Sequence, residues 1–270
     1  MQTVTDRPKS PKSHRLHVGF ARYKEEIAEA QRLRKDVFSS ETGAAFPEGE
    51  LDIDPFDKYC EHLLVRDTRS GKVVGTYRLL TPDGAKNAGR FYSQTEFDLS
   101  LISNRLDRTV EVGRSCVDPG YRSGAVISLL WSALARFMSE RSYSFLMGCA
   151  SVPLSEGSAH ISEIRHFLRK TAWGRDDMRV RPLIPFPVSD EEPTCLWPPM
   201  PPLLKGYLRL GARVLGDPAL DAEFGTADFL VFLSFSGINP RYARHFLRES
   251  TGGEASISRA VNPDWVGNLA

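Results

Sequence analysis

The chain has 270 residues, of which 41% are hydrophobic and 26% are charged, and its net charge is +1. This length can bury the core of one large or two small domains. The near-neutral charge excludes bulk attraction to a polyanion and argues against nucleic acid as a partner. The longest apolar stretch, Gly124 to Met138, carries Arg136 and is too short to cross a bilayer.

The cysteines and the first residues bear on the cellular setting. None of the four cysteines forms a CxxC pair, and no histidine cluster lies beside them. We therefore expect a reducing compartment and no metal site. The first 20 residues lack the apolar core of a signal peptide, so a cytoplasmic protein is expected, with attachment to a membrane surface as the alternative.

Strands and helices alternate along the chain. Residues 1–14 are polar and basic and are predicted to be a disordered tail. Strands are predicted at 15–22, 62–67, 72–82, 108–119, 143–153 and 226–235, with a hairpin turn at Ser70-Gly71. Helices are predicted at 24–38, 125–141, 158–171, 201–215 and 239–247.

This interleaving is typical of an α/β layer fold with a mixed sheet. We expect one domain over residues 15–250, with a proline-rich elaboration around 182–202 and a flexible tail at 251–270. A sequence pattern typical of a β-strand resumes after the proline-rich stretch. This indicates that the stretch is an insertion within the domain and not a linker between two domains.

Four carboxylates lie within ten residues just before a predicted strand. They are Asp52, Asp54, Asp57 and Glu61. Such a cluster repels itself unless cations offset the charge. It is either a solvated acidic loop or a binding site for a cationic amine.

Three arginines occupy positions that the periodicity assigns to the core. Arg34 shares the buried-leaning face of the first helix, while Arg78 and Arg114 lie in strands. Buried guanidinium groups need carboxylate partners, for which Asp54, Asp57 and Glu111 are the expected candidates. The set is either a structural ion-pair network or part of an active site.

Glu111 and Arg114 are three residues apart, so a regular strand would direct them to opposite faces. A β-bulge at Gly113 would bring them to one face, and we predict this irregularity. Glu111 could then act as a general base toward an amine nucleophile.

Two further features are basic. Arg122 and Gly124 precede the helix at 125–141, where backbone N–H groups favour anions. Lys205, Arg209 and Arg213 are four residues apart and predict a basic helical stripe. The stripe indicates an ordinary amphipathic helix, a docking site for an acidic protein, or contact with anionic lipid.

The order of several motifs resembles two related groups of enzymes. The shared motifs are RLRKDVF, DIDPFD, GTYRLLTP and VEVGRSCVDP. One group is the N-acyl homoserine lactone autoinducer synthases, and the other is the ornithine–acyl carrier protein N-acyltransferases. The second group is more similar, through GRSCVDPGYRSGAVISLLW, PPLLKGYLRLGARV and NPRYARHFL, over roughly residues 15–248.

The resemblance implies an acetyltransferase-superfamily (GNAT-like) fold, a mixed and mostly antiparallel sheet flanked by helices. It implies that the catalytic residues are Arg34, Arg78, Glu111 and Arg114. Substrate binding is expected at Phe38, Asp54, Asp57, Ser115 and Cys116. The expected carrier-binding residues are Arg122, Gly124, Lys205, Arg209 and Arg213.

The implied reaction is attack by the α-amine of ornithine on a 3-hydroxyacyl carrier protein thioester, giving lyso-ornithine lipid. A backbone N–H between Val112 and Cys116 would stabilise the oxyanion. The YRSGAVIS segment lacks the glycine run of acetyl-CoA enzymes, which fits 4'-phosphopantetheine delivered on acyl carrier protein rather than a tightly bound cofactor. The setting would be the cytoplasm or the inner face of the inner membrane.

Two alternatives remain at this point. The same fold could acylate another amino acid or carry out autoinducer-type acyl transfer. A protein of another class, a non-catalytic and membrane-active haemolysin-like protein, would not need buried Arg34, Arg78 and Glu111.

Overall fold

The computed structural model describes residues 16–41, 46 and 51–237. The predicted tails at 1–14 and 251–270 and the predicted helix at 239–247 lie outside these residues. None of the described helices has the length and hydropathy needed to cross a bilayer.

The described helices and strands follow the predicted order. The helices are α1 (Lys24–Glu41), α2 (Pro82–Ala88), α3 (Ala125–Glu140), α4 (Ser158–Thr171) and α5 (Pro202–Leu210). The longer strands are β1 (Leu16–Phe20), β2 (Glu61–Asp67), β3 (Val73–Leu80), β5 (Thr109–Val117), β6 (Phe145–Pro153) and β10 (Thr226–Ser234). The short strands are β4 (Phe97–Asp98), β7 (Arg181–Pro182), β8 (Arg213–Val214) and β9 (Ala219–Asp221).

The main sheet has the order β1-β2-β3-β5-β6-β10-β8, and β9 also pairs with β10. Strands β5 and β6 run parallel, whereas the other neighbouring pairs of this sheet run antiparallel. The expected mixed, mostly antiparallel sheet is therefore confirmed. Strands β4 and β7 form a separate two-stranded sheet.

Helices cover both faces of the main sheet because successive strand side chains alternate between two apolar clusters. On one face, α3, α4 and α5 contribute residues such as Leu130, Ile164 and Leu204 to the largest core cluster. On the other face, α1 packs on β3 and β5 through a smaller cluster that includes Leu33 and Val37.

Two local predictions need comment. The hairpin turn is confirmed, with Gly71 in the left-handed region at φ +73°. The predicted helix at 201–215 is too long, because α5 ends at Leu210. Gly211 follows at φ +99°, a conformation in which glycine terminates helices, and Arg213 lies in β8 rather than on the helix.

Candidate active site

A gap between the two parallel strands of the sheet forms the centre of the site. The pairing of β5 with β6 covers Thr109 to Glu111 and stops there. A Cβ at Gly148 would overlap the Val112 carbonyl oxygen, so glycine allows this close approach. Beyond this point the strands separate, and residues 112–115 and 149–151 line a cavity.

The two ends of this cavity differ in chemistry. We call one the apolar end; it is lined by Tyr77, Val112, Pro201, Leu203, Leu204 and Tyr207. Most of these residues belong to the core on the α3–α5 side of the sheet. We call the other the polar end; it is lined by Arg78, Tyr92, Glu111, Arg114, Asp221 and Asp228. The cavity therefore connects a hydrophobic space with a charged one through the sheet.

The predicted bulge is present beside Gly113. In the pairing of β3 with β5, Thr76 faces Cys116 but Arg78 faces Gly113, so β5 has one extra residue opposite Tyr77. Arg114 has a φ of +50°, in the left-handed region. Both Glu111 and Arg114 consequently line the cavity, as expected.

Arg34 is fully buried and holds two carboxylates. Its Nε lies 2.7 Å from Asp52 Oδ2, and its Nη2 lies 2.7 Å from Asp57 Oδ2. Gln31 also donates to Asp57, at 2.9 Å. Burial alone would raise the pKa of Asp57, but the hydrogen bond and charge of Arg34 and the charge of Arg78 hold it well below its usual range.

The other two arginines complete the network. Arg78 forms ion pairs with Asp54 and, at 3.0 Å, with Asp57 Oδ1. Arg114 Nη2 lies 3.1 Å from Asp54 Oδ2, and Arg114 Nε lies 3.4 Å from Asp52. The arginines are thus buried and paired with carboxylates, as the sequence predicted.

The residues of this network differ in their access to the cavity: Arg78 and Arg114 line it, whereas Arg34, Asp54 and Asp57 are not part of its lining. The charges of Arg34, Arg78 and Arg114 balance those of the three aspartates, so the network as a whole carries no net charge. Glu61 takes no part in the described ion pairs. The cluster is a buried structural network at the wall of the cavity.

Glu111 departs from the predicted pairing with an arginine. Instead of an arginine, its carboxylate accepts hydrogen bonds from Ser93 N at 2.7 Å, Tyr92 N at 2.6 Å and the Ser93 hydroxyl. These bonds fix the 3₁₀ turn Tyr92–Thr95 against β5. Burial raises the pKa of Glu111, although the Ser93 hydrogen bonds oppose this shift. A carboxylate has about four acceptor positions, so one remains for a substrate proton.

The opposite wall of the polar end carries carboxylates that sequence reasoning missed. Asp228 lies in β10 and accepts from Ser151 Oγ at 3.1 Å and from Thr226 Oγ1 at 2.7 Å. Asp228, Glu96 and Cys149 bring their ligand atoms within 4.8 Å of one another. The only signal in the sequence is a single aspartate inside the apolar strand TADFLVFLS.

These carboxylates lack cationic partners. Among the described residues, no lysine or arginine forms an ion pair with Glu96, Asp221 or Asp228. Both Glu96 carboxylate oxygens are buried, and the donors near them are the uncharged side chains of Tyr92 and Cys149. Burial raises the pKa values of Glu96 and Asp228 above the usual range, and repulsion by neighbouring carboxylates adds to this, from Asp228 and Asp221 on Glu96 and from Asp221 on Asp228. This wall is therefore suited to binding a cation.

A protonated amine is a cation that this wall can bind. Burial, Glu96 and Asp228 raise the pKa of the Cys149 thiol well above its usual value, so the thiol adds no charge to the wall. A protonated amine needs only carboxylate acceptors.

Two aromatic rings that sequence reasoning also missed enclose Arg114. The guanidinium carbon lies 4.4 Å from the centre of the Phe224 ring and 5.3 Å from that of Tyr92. Phe38, a predicted binding residue, packs edge-on against Phe224 with centroids 6.0 Å apart. Phe38 and Ser115 both line the cavity, as predicted.

The remaining predicted residues lie outside the cavity lining. Cys116 packs under α1 in the core and is only 5% exposed, so the expected contact with substrate is corrected. Arg122 binds Glu41 and the Val117 carbonyl, and Gly124 precedes α3 at φ +93°.

The basic stripe is shorter than predicted. Lys205 and Arg209 are exposed on α5, whereas Arg213 lies on β8 and donates to the Thr171 carbonyl at 3.3 Å. The helix ends between Arg209 and Arg213, so the three cations do not form one helical row.

Known proteins resemble this chain in sequence and fold. Residues 33–132 match the family model of the acetyltransferase (GNAT) domain. The chain is 36% identical over 255 residues to the L-ornithine N(alpha)-acyltransferase of Brucella abortus (strain 2308), covering 87% of this chain and 90% of the relative. It is 35% identical over 249 residues to that of Rhizobium meliloti (strain 1021), covering 86% and 84%.

Among solved structures, the fold is similar to the CoA-dependent acyl-homoserine lactone synthase BjaI. The TM-score is 0.53 and the identity 16%, over 90% of this chain and 92% of that one. These similarities confirm the acetyltransferase fold and an enzyme that transfers acyl groups, and they exclude the non-catalytic alternative. The chain belongs to the family of L-ornithine N(alpha)-acyltransferases.

Proposed function

We propose that this enzyme transfers a 3-hydroxyacyl chain from acyl carrier protein to the α-amine of L-ornithine, giving lyso-ornithine lipid. The observation that supports this most directly is the cavity through the sheet, because it joins an apolar space to a charged one at the gap between β5 and β6. An acyl chain suits the first space and a dibasic amino acid the second.

The acyl thioester would lie in the gap itself. The pairing of β5 with β6 ends at Glu111, so N–H groups of β5 that face β6 beyond this point are not used by that ladder. Such preorganised donors stabilise the oxyanion that forms on the thioester carbonyl. The chain beyond the carbonyl would extend into the apolar end, between Leu203, Leu204 and Tyr207.

Ornithine would occupy the polar end. Its side-chain ammonium would bind Asp228 and Glu96, which form no ion pair with a described lysine or arginine. Arg78 and Arg114 line the same end and suit the α-carboxylate. This orientation leaves the α-amine to face the gap and the thioester.

Glu111 would act as the general base. The α-nitrogen attacks the thioester carbon and Glu111 accepts the proton that this nitrogen loses. The C–S bond then breaks, and the proton passes from Glu111 to the leaving sulfur, so phosphopantetheine is released as a thiol and Glu111 is regenerated. No enzyme nucleophile is needed. Burial raises the pKa of both Cys116 and Cys149, so their thiols stay protonated and inert.

The carrier protein would dock beside α5. Lys205 and Arg209 are exposed on the helix whose Leu203 and Leu204 line the apolar end. An acidic carrier surface would be attracted to these two cations.

Lipid analysis tests the proposal. Bacterial cells that lack ornithine lipids should accumulate lyso-ornithine lipid when they express this chain, as detected by mass spectrometry. Cells that express the Glu111→Gln variant serve as the matched control and should not. A new acyl-glycine or acyl lactone in place of lyso-ornithine lipid would overturn the assignment of the acceptor.

A further inference from the structure

One hydroxyl group in the apolar end has no described partner. Tyr77 is 1% exposed and lines the cavity, yet within the described part of the chain its hydroxyl makes no hydrogen bond. A buried hydroxyl left without a partner costs about 1–3 kcal/mol. Groups of this kind in a native protein call for a specific explanation, such as a ligand.

The position of Tyr77 limits what that ligand group can be. Tyr77 lies on β3 opposite the bulge of β5, between the pairs Thr76–Cys116 and Arg78–Gly113. Its ring belongs to the same apolar cluster as Val112 and Leu204. The hydroxyl is therefore an unpaired polar group within the apolar end, on the strand next to β5, which would hold the thioester.

We propose that the Tyr77 hydroxyl forms a hydrogen bond with the 3-hydroxyl group of the acyl chain and selects 3-hydroxyacyl donors over unsubstituted ones. The inference rests on the proposed function. The 3-hydroxyl is two carbons beyond the thioester carbonyl, so it would enter the apolar end first. There the two hydroxyl groups satisfy each other, whereas an unsubstituted chain leaves Tyr77 unpaired.

Donor competition with the Tyr77→Phe variant tests this. The assay measures kcat/KM for ornithine acylation with 3-hydroxyhexadecanoyl and hexadecanoyl carrier protein. The kcat/KM of the variant should fall about tenfold with the 3-hydroxyhexadecanoyl donor, as expected for the loss of one hydrogen bond. Its kcat/KM with the hexadecanoyl donor should be unchanged. Tyr143→Phe is the matched control, because Tyr143 packs on Phe137 outside the cavity lining and should keep the wild-type preference.

Two outcomes would overturn the inference while the proposed function stands. An equal loss with both donors would mean that Tyr77 contacts a group they share, such as the thioester, and no loss would mean that it contacts neither. The melting temperature of Tyr77→Phe should not fall, since no described protein bond is removed; a clear fall would show a protein partner and overturn the premise. A wild-type enzyme that acylates ornithine from neither donor would instead refute the proposed function, and the inference with it.

Discussion

Replacing Asp228 with asparagine should weaken binding of the acceptor ornithine while it raises the stability of the free enzyme. Asp228 is 3% exposed, and asparagine keeps its shape. Its amide oxygen can accept from one of the two hydroxyl groups of Ser151 and Thr226, and its amide nitrogen can donate to the other, because a hydroxyl group also accepts. The substitution therefore removes the charge and can keep both hydrogen bonds. A hydrogen bond between charged groups contributes about 1.5–3 kcal/mol, so kcat/KM for ornithine should fall by roughly 10- to 150-fold.

The same substitution should stabilise the free enzyme. The pKa of Asp228 in the folded protein is raised by burial, so folding favours its neutral form. Stability is therefore lost as the pH rises through that raised pKa, and Asp228→Asn should increase the melting temperature most at alkaline pH. The difference from wild type should shrink as the pH falls.

Steady-state kinetics with ornithine and thermal unfolding at several pH values measure both effects. Asp107→Asn, an exposed substitution outside the cavity, is the matched control and should change neither quantity. If Asp228→Asn instead lowers the melting temperature and keeps the wild-type kcat/KM, Asp228 is a structural residue and the reasoning fails.

Three further experiments test other parts of the site. Glu111→Gln should lower kcat about 10²- to 10⁴-fold with little change in KM for ornithine; an unchanged kcat would exclude Glu111 as the base. Arg34→Leu should lower the free energy of unfolding, measured by chemical denaturation, by about 3–5 kcal/mol, because it leaves buried carboxylates without a cationic partner. Arg66 is partly exposed, so Arg66→Leu should lower the free energy of unfolding by at most about 1 kcal/mol. Equal decreases for Arg34→Leu and Arg66→Leu would contradict the account of the buried network. Charge reversal at Lys205 and Arg209 should raise KM for the carrier protein but not for ornithine, and more strongly at low salt.

The sequence was sufficient to locate the arginine network. Arg34, Arg78 and Arg114 interrupt apolar periodicity in elements that bury one face, and burial of a guanidinium demands carboxylates. The odd spacing of Glu111 and Arg114 was likewise sufficient to predict the bulge, since strand side chains alternate with a period of two.

The hydrogen-bond partners of Glu111 could not be predicted from the sequence. Glu111 binds backbone N–H groups of the Tyr92–Thr95 turn, and no pattern in the sequence links that turn to β5. Glu96 and Asp228 are far apart in the chain and meet only in the folded protein. Glu96 directly follows the turn that Glu111 binds, whereas Asp228 lies on β10 opposite Ser151 of β6. The end of α5 at Leu210 could have been predicted from the sequence, because Gly211 follows directly after the last apolar residue of the helix.

The most direct test of the account compares ornithine with norvaline, which has the same carbon skeleton without the side-chain amine. With purified enzyme and a 3-hydroxyacyl carrier protein, ornithine should be acylated on its α-amine and norvaline at least about tenfold less efficiently, as loss of a charged hydrogen bond requires. Equal acylation of both acceptors would contradict recognition by the Glu96–Asp228 wall and, with it, the proposed orientation of ornithine in the cavity.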